Sequence, residues 1–317
     1  MRPFLYIFIL LFLLSCGSNP DQEIDSAIDV ALTHLSNNEC DDALKVLGEI
    51  KDGTGNAIFL QVLASAHACK ANHDEVRFIA EDLEDLDTTS FATIMSSLSK
   101  FALSSESEAD SNPYTSIKAG INTILSSTAG VPSHLERVNK FGTRKAGDLS
   151  VQALTLSLVN LGKFLNYYGN VDANGNKGKG TGTNTCFLNY TDTRARAVID
   201  PGGLGGFCTV FNNGHPDLSL AAASLTTSKR RLCEGLMLVT NMLDVLENLD
   251  LSGSSTLSKL GEISAEAELI KTEAVAAGLG DLINMTSQSV CEDHLDTAAN
   301  LEDMEYLYSL IFESGLQ

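Results

Sequence analysis

The sequence predicts an all-α fold of stacked antiparallel helical hairpins that carries one long glycine-rich loop. Three observations predict it. Apolar residues recur at three- and four-residue spacing along most of the chain, and only Arg194–Ile199 alternates as a strand does. Helix-start and helix-stop residues punctuate those runs at short intervals. Ten of the 25 glycines fall between Gly169 and Gly214, where the helical period is lost.

Ile24, Ile28, Ala31 and Leu35 mark the first helix, which Asn37-Asn38 stops. A second runs from Asp41 to Ile50 with Ala43, Leu44 and Leu47 on one face. Gly53 and Gly55 separate it from a third, Ala57–Cys69. Asn72 punctuates again, and Asp74–Leu86 continues with Val76, Ile79, Ala80 and Leu83. Ser90–Leu103 carries Phe91, Ile94, Leu98 and Phe101. Asn112-Pro113 is a good helix start, with Asn as cap and Pro in the first turn. Gly130 and Pro132 end that helix, and Ser133-His134-Leu135-Glu136 reads as a capping box. Asp148 opens a longer helix that ends near Tyr168. After Pro216, Asp217 can cap a long helix through Leu249. Helices near Thr256–Ala277 and Asp281–Glu313 complete the chain.

The N-terminal segment is different in kind. Arg2 precedes an apolar run from Phe4 to Leu14, which stops at Ser15-Cys16. A spanning helix needs about 20 apolar residues. This run has the length and flanks of a secretory signal. The best later stretch, Leu149–Leu165, is interrupted by Gln152, Asn160 and Lys163 and does not read as a second span.

The ending Leu13-Leu14-Ser15-Cys16 resembles the lipobox of bacterial lipoproteins. The resemblance implies cleavage before Cys16, lipid on Cys16, and a place in the bacterial cell envelope. Gly17 stands where an Asp would favour inner-membrane retention, so the resemblance favours the outer membrane, at its periplasmic face or the cell surface. The expected layout is a signal peptide at 1–15, a tether at 16–23, helical hairpins at 24–104, and a helical continuation at 105–317 containing the loop at 169–216.

With Cys16 lipidated, six cysteines remain: Cys40, Cys69, Cys186, Cys208, Cys233 and Cys291. An even number in an exported chain suggests three disulfides, with fifteen possible connectivities.

Cys40-Asp41-Asp42-Ala43-Leu44 aligns with His73-Asp74-Glu75-Val76-Arg77, and each follows an Asn-containing turn. A helix-turn-helix unit recurring near 34 residues resembles the tetratricopeptide repeat. The resemblance covers roughly residues 24–87. The family's Trp/Leu-Gly-Tyr pattern and closing Pro are not visible here. Repeat geometry would place the start of the second helix and the end of the third at one pole of the stack, which pairs Cys40 with Cys69.

The formal net charge of −20 argues against nucleic acid, whose binding needs a basic footprint. Acid gathers after Thr272, where no Lys or Arg occurs. Bases gather at Arg137, Lys140, Arg144 and Lys145 and at Lys229-Arg230-Arg231. These segments are expected to pair with one another.

Candidate chemistry is sparse. Gly178-Lys179 is followed by Gly180 and preceded by a helix, so it departs from a phosphate loop. Asp172, Asn174 and Asn176 offer oxygens at alternate positions, the start of a calcium loop, but Lys177 and Thr183 stand where that pattern needs Gly and Glu. His67, Cys69 and His73, and Cys291 with His294, fall short of four zinc ligands at defined spacing. No Gly-x-Ser-x-Gly is present. The reading is therefore a non-catalytic, membrane-anchored module that binds or scaffolds an unidentified protein, with no cofactor. The alternatives are a small-molecule binder associated with solute transport and a surface protein that makes contact through the glycine-rich loop.

Overall fold

The computed structural model describes residues 20–101, 111–127, 133–201, 208, 211–221, 224–248 and 255–316. The signal segment and Cys16 lie outside the described residues, as do Gly202, Gly203, Gly205 and Gly206 of the glycine-rich stretch.

The protein is mostly helical, with an isolated β-bridge between Cys186 and Gly214 among the described residues. Helix α1 spans Pro20–Ser36, α2 Cys40–Gly48 and α3 Ala57–Lys70. Helix α1 begins inside the stretch expected to be a tether. Pro20 suits a first turn because its missing N–H has no helical partner there anyway. Helices α1 and α3 end alike. Asn38 and Asn72 adopt positive φ (60° and 55°), and the next residue donates back into the last turn, Glu39 N to His34 O at 2.9 Å and His73 N to Ala68 O at 3.0 Å. This Schellman arrangement satisfies orphan carbonyls, and Asn tolerates the left-handed conformation it requires. The ends so aligned hold the Cys40–Cys69 disulfide, with Cα atoms 5.6 Å apart.

The fourth predicted helix is shorter than its periodicity suggests. Helix α4 spans Glu75–Arg77 and runs into a π turn, Phe78–Asp82. Helix α5, Phe91–Ser99, starts at a full capping box between Ser90 and Thr93. Helix α6 is Asn112–Leu125, capped by Ser111, and α7 is His134–Phe141, capped by Ser133.

Helix α8, Thr143–Tyr168, is the axis of the molecule. It begins before Asp148, because the chain turns at Gly142 (φ 79°) and Asp148 lies within the helix. From Ala153 to Leu165 every residue is buried, so the helix is surrounded on all sides. Helices α3, α5, α6 and α7 pack on it, as does α10, Leu225–Asn248. Close approach of α10 depends on Gly235. A Cβ there would stand 2.4 Å from the Phe164 ring and 2.7 Å from the Tyr308 hydroxyl.

Three further expectations need correction. Arg194–Ile199 belongs to a helix, α9 (Thr193–Ile199), because the Asp192 carboxylate caps Arg194 N at 3.0 Å. Asp217 does not open the long helix. It lies in a 3-10 turn, Pro216–Leu218, capped by His215, and α10 starts at Leu225. The C-terminal segment is broken into α12 (Gly280–Ile283), α13 (Gln288–His294) and α14 (Ala298–Tyr308), the last continuing as a π turn, Ser309–Glu313. Before them, α11 spans Ser255–Ala276.

The acidic C-terminal segment pairs with basic groups elsewhere. Lys229 meets Asp296 at 2.6 Å and Arg194 meets Asp303 at 3.0 Å. Two buried carboxylates fasten the residues after α8. Glu305 accepts from Thr191 N and Asp192 N at 2.6 and 2.8 Å. Glu313 accepts from Phe187 N at 2.6 Å and Tyr190 Oη at 2.9 Å, and pairs with the buried Lys177 ammonium. Disulfides Cys186–Cys208 and Cys233–Cys291 add covalent ties. No helix among the described residues is long and apolar enough to cross a membrane.

Candidate functional site

Helices α6, α8 and α10 do not close completely on one another. A cavity of about 390 Å³ lies between them, roofed by residues 286–292. That is within the usual range for a small-molecule site.

Each wall follows from helical spacing. Lys118, Ile121, Asn122 and Leu125 lie on one face of α6, and Glu234, Met237, Leu238 and Asn241 on one face of α10. Ser157 and Asn160, one turn apart on α8, complete the lining. The walls are thus apolar in the middle, with polar groups set among them.

Glu234 is paired with cations of the protein. Glu234 is 3% exposed. Its Oε2 takes Lys118 Nζ at 2.8 Å and Arg231 Nη1 at 3.5 Å. Burial, and after it the negative charge of Glu234, pushes the Tyr114 phenol well above its usual range. Tyr168 is raised for the same leading reason, burial. Both phenols therefore stay protonated.

The amides are different. Asn160 is fully buried, and neither its Oδ1 nor its Nδ2 has a hydrogen-bond partner. Asn241 donates through Nδ2 to Met237 O at 2.9 Å and to Thr286 O at 3.3 Å, while its Oδ1 is unpartnered. A buried unmade hydrogen bond costs about 1–3 kcal/mol per group. With Glu234 Oε1, which is also without a partner, four such atoms line one cavity; they are a concentrated cost, and each needs justification.

The roof is held from both sides. Cys233, beside Glu234, is disulfide-bonded to Cys291, beside Glu292. Gln288 Nε2 donates to Arg230 O at 2.9 Å and to Glu292 Oε1 at 2.6 Å.

The residues singled out from the sequence lie elsewhere. Asp172, Asn174 and Asn176 come together in one turn. There the Asp172 carboxylate accepts from Asn174 N at 2.8 Å and Asn176 N at 2.9 Å, and from the Asn176 amide. Those donors, the Asn176 side chain first, hold the Asp172 carboxyl below the usual range. The Asp172 oxygens are therefore engaged by the loop itself. Cys69 and Cys291 carry disulfides and offer no thiolate beside His67, His73 or His294. A second cavity, about 500 Å³, lies between Asn72–Val76 and the Gln152–Leu156 stretch of α8. His73 lines it, and burial lowers its pKa to about 4.

Asn160 had one trace in the sequence. It interrupts an otherwise apolar stretch, as Gln152 and Lys163 do. Glu234 and Asn241 had none, because single polar residues on a long amphipathic helix read as solvent-facing until the neighbouring helices are placed.

No protein-family model, curated protein or solved structure matches this chain.

Proposed function

We propose that this protein is a non-catalytic binder of a small organic molecule, carried in the cavity between α6, α8 and α10. The observation that carries the reading is the set of unpartnered, buried amide atoms of Asn160 and Asn241 at that cavity. A ligand that hydrogen-bonds to them recovers the cost of burying them. Binding is favoured over turnover because Lys118 and Arg231 hold the Glu234 carboxylate in ion pairs. Native mass spectrometry of gently purified protein tests the reading: a non-covalent small-molecule mass is expected on the folded protein.

The place of action belongs to the same proposal. The Leu13-Leu14-Ser15-Cys16 ending supports a lipid anchor on Cys16 in the bacterial envelope, outer membrane favoured. Two or more acyl chains hold a protein stably, at roughly 0.8 kcal/mol per buried CH2. Three disulfides suit an oxidising compartment. Cys16→Ala is expected to move the protein from the membrane fraction to the soluble one. Retention in the membrane would remove the anchor from the account.

A second reading, a protein-docking module of tetratricopeptide-like hairpins, has its own support. The left-handed asparagines Asn38 and Asn72 end α1 and α3 in the same way, at a separation near the repeat length of about 34 residues. Val30, Val46 and Ile50 line an open groove on the outer face of the first hairpin.

A further inference from the structure

We infer that the ligand of this cavity is a neutral polyhydroxylated molecule, of the chemistry of a small sugar or cyclitol. The inference rests on the small-molecule reading above and narrows it.

Charge comes first. Glu234 is answered by Lys118 and by Arg231, both within the protein. Glu292 also lines the cavity, so Glu234 and Glu292 together balance Lys118 and Arg231, and an ammonium ligand would leave an excess of positive charge. A carboxylate ligand would have to draw Lys118 or Arg231 away from Glu234. Either ligand leaves a buried charge poorly matched, which is costly. A neutral ligand leaves the pairing intact.

Hydrogen bonding comes second. Asn160 presents an acceptor and a donor side by side, and Asn241 adds a second acceptor. Each hydroxyl of a ligand both donates and accepts. Two neighbouring hydroxyls can therefore satisfy the Asn160 amide, one giving its proton to Oδ1 and the other taking a proton from Nδ2. A third can donate to Asn241. The nearer walls carry the same chemistry in Ser126, Ser157, Ser287 and Ser289. No aromatic ring lines the cavity among the described residues, so a planar base has no stacking platform there. Ile121 and Met237 instead offer aliphatic surface to the C–H face of a sugar ring.

The test is calorimetric titration of the mature, lipid-anchored protein in nanodiscs. The probes are glucose, maltose, trehalose and myo-inositol, set against putrescine, citrate and dialanine. Saturable binding of at least one of the four polyols is expected, weakened at least tenfold by Asn160→Leu and by Asn241→Leu. Circular dichroism and thermal melting of both variants separate lost contacts from lost folding. If Asn241→Leu unfolds, Asn160→Leu alone decides. Binding confined to putrescine, citrate or dialanine overturns the inference, as does polyol binding untouched in the folded variants. If no polyol binds but native mass spectrometry finds a small-molecule mass, the polyol inference fails and the cavity reading stands. If neither appears, both fail.

Discussion

Replacing Glu313 with Ala is expected to destabilise the protein by about 3–5 kcal/mol, the cost of breaking a buried ion pair by removing one partner. Glu313 and Lys177 are both almost completely buried. Without the carboxylate the Lys177 ammonium keeps the Glu313 main-chain carbonyl, at 3.3 Å. Phe187 N–H and the Tyr190 hydroxyl lose their acceptor as well. For a folded body of this size, with about 2.1 cal/mol/K of unfolding entropy per residue, the loss corresponds to a fall in Tm of roughly 5–8 °C. The double variant Lys177→Met/Glu313→Gln is expected to recover most of it. The buried charge is then gone, and the Gln carbonyl still accepts from Phe187 N–H and Tyr190. A fall of less than about 1 kcal/mol in the single variant, measured by urea unfolding, would show that the pair does not fasten the post-α8 segment.

Asn160→Leu is expected to do the opposite. The substitution is close in volume, removes two unpartnered polar atoms, and adds apolar area in a fully buried position. Each buried unsatisfied group costs about 1–3 kcal/mol. A net gain of about 2 kcal/mol, or about 3 °C in Tm, is the expected result for the ligand-free protein. A ligand-binding residue behaves this way because function holds it in an arrangement that stability alone would discard. A purely structural asparagine would instead give a loss on substitution. The sign of the change therefore distinguishes the two roles.

Much of the fold was legible because helical periodicity reports burial directly. The apolar spacing of α1, α2 and α3 follows from local rules alone, as does the start of α6 to within one residue, Ser111 being the cap in place of Asn112. What failed locally was decided by partners distant in sequence. Asp148 is a good cap residue, but Gly142 and the packing of α7 on α8 start the helix earlier. The segment Asp281–Glu313 has helical spacing throughout, yet the chain breaks around Thr286, where it roofs the cavity and its carbonyl accepts from Asn241 Nδ2. Arg194–Ile199 alternates like a strand, but a single Asp192 cap and the packing of its apolar face on Ser309–Glu313 make it helical. The site was the least legible part. Periodicity says that Asn160 and Asn241 occur on helices, but their meeting around one cavity is a property of the assembled bundle. Glu234 illustrates the point: its partner Lys118 sits on α6, far away in the chain.

The central claim is that the cavity among α6, α8 and α10 is a binding site. Native mass spectrometry of gently purified protein tests it most directly. The account predicts a one-to-one small-molecule adduct on the wild-type protein and its absence from folded Asn160→Leu. An adduct retained in full by that variant, or a wild-type protein that carries none and gains none from the polyol panel, would contradict it.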